Sequence, residues 1–192
     1  QDSFSIEKNK DFKVFSLRLG IDLFKPIKTN LEENFQGVEI VGDLKINRRI
    51  FIAAELGSEK KTQQTEQLNF TTNGSYFKLG VDYNFFNNWK GMDNSLFVGI
   101  RISNSIHSHK VNEYILYENY SAADFKNSYF ERPVIKEGNL IGEREQLNSN
   151  WIEVLFGTKV EVLNNFYIGA SIRLHRLLNN SQPENFGNLY AP

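Results

Sequence analysis

Along most of this chain apolar and polar side chains alternate with the two-residue period that sends successive side chains to opposite faces of a β-strand. In the first run, residues 15–23, Phe15, Leu17, Leu19, Ile21 and Leu23 share one face and Ser16, Arg18, Gly20 and Asp22 the other. Residues 38–47 set Val38, Ile40, Leu44 and Ile46 against Glu39, Val41, Asp43 and Lys45, with Gly42 interrupting the apolar face. Residues 50–57 set Ile50, Ile52, Ala54 and Leu56 against Phe51, Ala53, Glu55 and Gly57. Four more runs, at about 76–85, 96–103, 151–162 and 166–175, repeat the pattern, and no eighth is legible. The elements predicted are seven long amphipathic strands.

The connections alternate in length. Residues 47–49 and 163–165 are tight turns and 86–94 a moderate one, whereas 25–37, 58–74 and 104–150 are longer links. Short turns at one end and long loops at the other are the arrangement of an outer-membrane barrel, with the short end periplasmic. The pattern therefore predicts an all-β, antiparallel up-and-down transmembrane β-barrel, with eight strands expected and seven visible. One domain covers 1–192, with a periplasmic N-terminal tail at 1–11 and an extracellular loop at about 104–150.

Composition narrows the alternatives. No run longer than about a dozen residues escapes Asp, Glu, Lys and Arg, which is too short for a spanning helix. The chain is 14% aromatic with 16 Phe, yet its mean hydropathy is −0.44, a mixture that suits long amphipathic strands. The 22 basic and 23 acidic side chains nearly cancel, so nothing favours nucleic acid as a partner. With no cysteine there is no disulfide, thiolate metal site or acylated Cys at the N-terminus. The opening stretch 1–11 is polar, so an exported protein is expected with its signal peptide already removed.

A soluble, lipocalin-like binding barrel would show the same alternation with its apolar face turned inward. The glycines argue otherwise. Gly20, Gly57, Gly80, Gly99, Gly157 and Gly169 all lie on the polar face, where a narrow barrel needs room for long neighbouring side chains. That polar face is expected to point inward and to form an ion-paired lumen from Arg18, Asp22, Glu39, Asp43, Lys45, Glu55, Lys78, Asp82, Arg101, Glu153, Lys159 and Arg173. Interleaved opposite charges can pair, which makes a plugged core and not a conducting pore. Phe12, Phe15, Tyr83, Phe85, Phe86, Trp89 and Phe166 lie toward the short-turn end and fit an interfacial girdle.

The segments KVFSLRLGIDLFKPI, SYFKLGVDYNF, LFVGIRIS and NNFYIGASIRL resemble the uncharacterised outer-membrane β-barrel proteins of Bacteroidota, over most of the chain. The resemblance implies an outer-membrane location, an eight-stranded barrel and service as a subunit of larger outer-membrane assemblies. It carries over no functional residue. Such barrels finish on a strand with a terminal aromatic, whereas 177–192 reads as a polar loop around Gln182, Pro183, Glu184 and Gly187. The expectation is that the natural chain continues past Pro192 into an eighth strand pairing with the first.

Three groups of side chains are candidates for chemistry or binding. His107, His109 and Ser105, with Ser103, share the inward parity of the fifth strand and suggest a lipid-modifying hydrolase at the barrel rim. Polar lining of the lumen is the favoured reading of the same residues, no triad signature is present, and two histidines with Glu113 are too few donors for a metal site. No cofactor is expected, because the glycines form no phosphate-binding cluster. The long loop carries Tyr114, Tyr117, Tyr120, Tyr129 and Phe130, exposed aromatics of the kind that bind protein partners. The function expected is a non-catalytic structural or accessory subunit of an outer-membrane complex, in contact with outer-membrane lipid and with other outer-membrane proteins or lipoproteins.

Overall fold

The computed structural model describes residues 16–66, 68–88, 93–115, 134–135, 141–181, 190 and 192. Strands β1 (Ser16–Ile21), β2 (Phe35–Lys45), β3 (Ile50–Gln64), β4 (Leu68–Asn84), β5 (Ser95–Ile115), β7 (Gly142–Leu163) and β8 (Phe166–Asn180) follow one another in a single antiparallel up-and-down sheet. A two-residue strand, β6 (Val134–Ile135), pairs with the outer end of β5. A short helix, α1 (Phe24–Leu31), joins β1 to β2.

The tight turns form where the sequence places them. Asn47 Oδ1 accepts the backbone N–H groups of Arg49 (2.8 Å) and Ile50 (2.9 Å), closing the β2–β3 turn. Asn165 takes the β7–β8 turn with φ 60°, a left-handed conformation that asparagine tolerates better than most residues.

All three long links are more ordered than the alternation suggests. Residues 58–64 and 68–74 continue β3 and β4 in register, from Ser58↔Ser75 to Gln64↔Asn69. Residues 58–64 are polar on both faces and 68–74 are polar except for Leu68 and the buried Phe70, with pairs such as Thr62–Thr71, whose hydroxyls lie 2.9 Å apart, so no sustained apolar period marks them. The link 25–37 contains α1. The link 104–150 is partly strand, since β5 runs to Ile115 and β7 begins at Gly142.

The alternation sorts cleanly between the two faces of the sheet. Glu153 is 0% exposed and Arg101 3%, while Ile100 is 53% and Ile172 73% exposed. The apolar face points outward, opposite to a lipocalin-like barrel. Tyr83, Phe85, Phe86 and Phe166 of the expected girdle are exposed near the short-turn end, with Phe85 stacked on Phe156 at 6.1 Å. Phe12, Phe15 and Trp89 lie outside the described residues.

The sheet is strongly curled. β7 stands four places from β2 in the strand order, about 19 Å away in a flat sheet at 4.8 Å per strand. Even so, Lys159 Nζ on β7 lies 2.6 Å from Asp43 Oδ2 on β2. Arg173 Nη1 on β8 likewise reaches Glu55 Oε2 on β3 at 2.5 Å. The curl stops short of closure: β1 and β8 are the two edges and do not pair. Among the described residues seven strands follow one another from edge to edge, so both edges run in the same direction and the antiparallel pattern cannot join them directly.

Candidate functional site

The concave face is built from the alternate residues that the strand pleat turns inward, odd-numbered on β2, β3, β5, β7 and β8 and even-numbered on β1 and β4. At its centre Arg101 on β5 binds Asp82 on β4 through Nη1 at 2.6 Å and Nη2 at 3.0 Å, and Glu55 on β3 through Nε at 3.1 Å. Lys78 Nζ lies 3.3 Å from Glu39, 3.4 Å from Glu55 and 3.3 Å from Glu153. Arg173 joins Glu55, Glu153 (3.4 Å) and Glu39 (3.8 Å) from β8. Nearer the short turns, Asp43 accepts from Arg18 Nε (2.7 Å) and Lys159 Nζ (2.6 Å). Charges this deeply buried are tolerable only with partners, and here each carboxylate bridges two or more strands.

Ten of the twelve residues expected in this network meet there, and two do not. Lys45 pairs with Asp93 at 2.6 Å at the short-turn rim, not in the centre. Asp22 lies past the end of β1, where its Oδ1 accepts the backbone N–H of Phe24 at 2.7 Å and helps to start α1. Its own backbone N–H still donates to Glu39 O at 3.0 Å, so Asp22 borders the network without an ion pair in it.

Aromatic groups complete the network, which charge counting alone misses. The Tyr76 hydroxyl donates to Glu39, and Trp151 Nε1 donates to Glu153 at 2.7 Å. The glycines make room for these side chains. A Cβ at Gly57 would overlap the Tyr76 ring, and one at Gly99 would overlap Asp82 Oδ1. Gly20 is different, since a Cβ there would meet only Val41 Cγ2 at 3.4 Å.

Further out, the histidine and serine candidates stack within the same concave face. Ser105 Oγ lies 3.3 Å from His107 Nδ1, the two imidazole rings are 5.2 Å apart, and His109 Nδ1 lies 2.7 Å from Thr72 Oγ1. Ser105, His107 and His109 are all buried, with Phe70, Val111 and Leu147 buried at the same height. A substrate would have no path to the Ser105 hydroxyl without displacing this packing. The arrangement fills space and pairs Ser105, His107 and His109, while the buried Ser103 hydroxyl has no hydrogen-bond partner among the described residues.

At the outer mouth, Lys25 of α1 reaches over β2 to Glu59 on β3 at 2.5 Å. The Tyr190 hydroxyl also donates to Glu59, and Lys61 Nζ lies 4.7 Å over the Tyr190 ring. Burial first, and then the bond to the Glu59 carboxylate, push the Tyr190 phenol pKa above its ordinary range. Of the expected partner-binding aromatics, Tyr114 is part of β5, half-buried and paired in register with Leu68 and Ile135. Tyr117, Tyr120, Tyr129 and Phe130 lie outside the described residues.

No curated protein and no solved structure shows a significant match to this chain. A family model does match, over residues 1–192, so the chain belongs to the family described as the domain of unknown function DUF6048.

Proposed function

We propose that this protein is an integral outer-membrane β-barrel with an ion-paired, filled lumen, serving as a structural or accessory subunit of a larger envelope complex. The observation that carries this reading is the inverted partition of the sheet: an apolar outer band and a buried charged interior. In water that band would be a large exposed apolar patch, whereas in a bilayer it is the surface that meets lipid. The non-catalytic part rests on the buried Ser105–His107–His109 stack and on a centre that, among the described residues, is occupied by paired side chains.

Closure completes the reading. In lipid, unpaired strand edges are costly, because each unsatisfied backbone group costs several kcal/mol. One further strand, running from the outer side toward the short turns, would be antiparallel to both β1 and β8. The role in a complex draws on the resemblance to Bacteroidota outer-membrane barrels and on the extension of β3, β4, β5 and β7 beyond the apolar band, where a partner could meet them.

The test is fractionation of native cells, followed by gentle detergent extraction and mass spectrometry of what co-elutes. Recovery in the outer membrane with stoichiometric protein partners supports the proposal. Release without detergent overturns the membrane reading, and a solitary detergent-soluble barrel overturns the role in a complex.

A further inference from the structure

We propose that α1 is an interfacial helix, lying along the outer boundary of the bilayer with Leu23, Phe24, Ile27 and Leu31 against lipid acyl chains. This rests on the membrane reading above and adds a second lipid-binding element to it.

The helix is turned the opposite way from a surface helix of a water-soluble protein. Its polar side faces the sheet: Lys25 reaches Glu59, Thr29 Oγ1 accepts the backbone N–H of Gly37 at 3.0 Å, and Lys28 Nζ sits 4.3 Å over the Phe35 ring. Its apolar ridge, at helical spacing 23, 24, 27 and 31, is more than half exposed throughout. A soluble domain would bury that ridge and expose the lysines.

The height of α1 identifies its partner. β1 stops at Ile21, opposite Ile40, so β2 continues outward past it, and α1 lies against that continuation. There Val38 pairs with Ser58, and Ser58 with Ser75. On the strands the outward face turns from apolar to polar at this end, through Ser58, Ser75, Asn104, Asn148 and Asn150, with the exposed Ile106 as the exception. The ridge of α1 thus continues the apolar band formed by Leu19, Ile21 and Ile40 to its outer limit. On the other flank of the helix, the amide and amine groups of Asn30, Gln36, Lys60 and Asn73 rim an open groove of about 510 Å³ that Pro26 and Val38 also line. An apolar ridge with polar groups at its outer side fits the acyl and headgroup layers of a membrane interface, where such helices sink about 5–10 Å.

The absence of cysteine makes single-cysteine spin labels a clean probe. Labels are placed one at a time at Phe24, Ile27, Asn30 and Ile100 in the full protein reconstituted in phospholipid vesicles. Collision with oxygen, which partitions into lipid, is compared with collision with a water-soluble nickel chelate. Oxygen preference several-fold higher at Phe24 and Ile27 than at Asn30, and matching Ile100, is the expected result. Nickel preference at Phe24 and Ile27 with oxygen preference at Ile100 overturns the interfacial helix and leaves the barrel standing. Phe24 and Ile27 shielded from both reagents also overturns it, in favour of a protein covering the ridge. Nickel preference at Ile100 overturns the membrane reading itself, and this proposal with it.

Discussion

Arg18 on β1 and Tyr167 on β8 lie at the two free edges of the sheet, yet the Arg18 guanidinium carbon is only 5.1 Å from the centre of the Tyr167 ring. Six strand spacings separate those edges in a flat sheet, about 29 Å at 4.8 Å each. The curl therefore brings the edges to within the span of two long side chains. That span suits a gap of two strand spacings, room for one strand between them. Arg18 Nη1 is buried there without a hydrogen-bond partner.

If a descending strand fills this gap, both edges of β8 are hydrogen-bonded in the membrane-embedded protein. Amide hydrogen exchange of the reconstituted full-length protein should then show protection on consecutive β8 residues. Protection of alternate residues alone, the signature of one free edge, would show an open seam.

Arg101 is the centre of the ion network, and removing it leaves Asp82 and Glu55 each short of a partner. Arg101→Met is expected to destabilise the barrel by about 3–5 kcal/mol, the cost of an unpaired buried charge. Arg101→Met with Asp82→Asn should recover part of the loss. Denaturant unfolding in detergent measures both, and a single-variant effect below about 1 kcal/mol would show that the network contributes little.

Two glycines on the same face should respond differently to alanine. Gly57→Ala forces the Tyr76 ring aside and disturbs its bond to Glu39, an overpacking cost of about 1–3 kcal/mol. Gly20→Ala meets only ordinary contact and should change stability by no more than about 0.5 kcal/mol. Equal effects in unfolding measurements would rule out the space argument for inward glycines.

The Tyr190 phenol is held neutral beside Glu59, so its folded pKa lies above the unfolded value of about 10. Such a group contributes its stabilisation fully below that pH and loses it as pH rises toward the folded pKa. The stability difference between the native protein and Tyr190→Phe should be constant below about pH 10 and shrink above it. A difference that is unchanged through pH 11 would remove Tyr190 from the outer-mouth contact.

Because the Ser105, His107 and His109 stack is sealed, His107→Ala and His109→Ala should leave envelope lipid composition unchanged. Mass spectrometry of extracted lipid A and phospholipids reads this directly. Accumulation of an acylated species in either variant would restore the hydrolase reading.

The strands were legible because their side chains face two different surroundings. Leu17, Ile40, Leu79, Ile100 and Ile172 keep the outward parity, and the charges at 39, 55, 101 and 153 keep the inward one, so a period of two survives in the sequence. The outer halves of β3 and β4 were hidden for the complementary reason. Beyond the apolar band both faces are polar, as at Ser58 to Gln64, and pairing there rests on backbone bonds that leave no hydrophobic trace. α1 left a trace at 23, 24, 27 and 31, but two turns of helix between strands are easily absorbed into a link.

The sequence by itself determined the number of legible strands, their turns, the parity of nearly every side chain and the balance of charge on one face. These follow from local geometry, because the pleat assigns faces whatever the strand is paired with. Only the tertiary structure decided which charges meet, that Tyr76 and Trp151 complete the network, that Ser105 and the histidines are sealed, and that a gap remains between β1 and β8. Those depend on curl and register, which bring residues more than a hundred positions apart, such as Asp43 and Lys159, into one hydrogen bond.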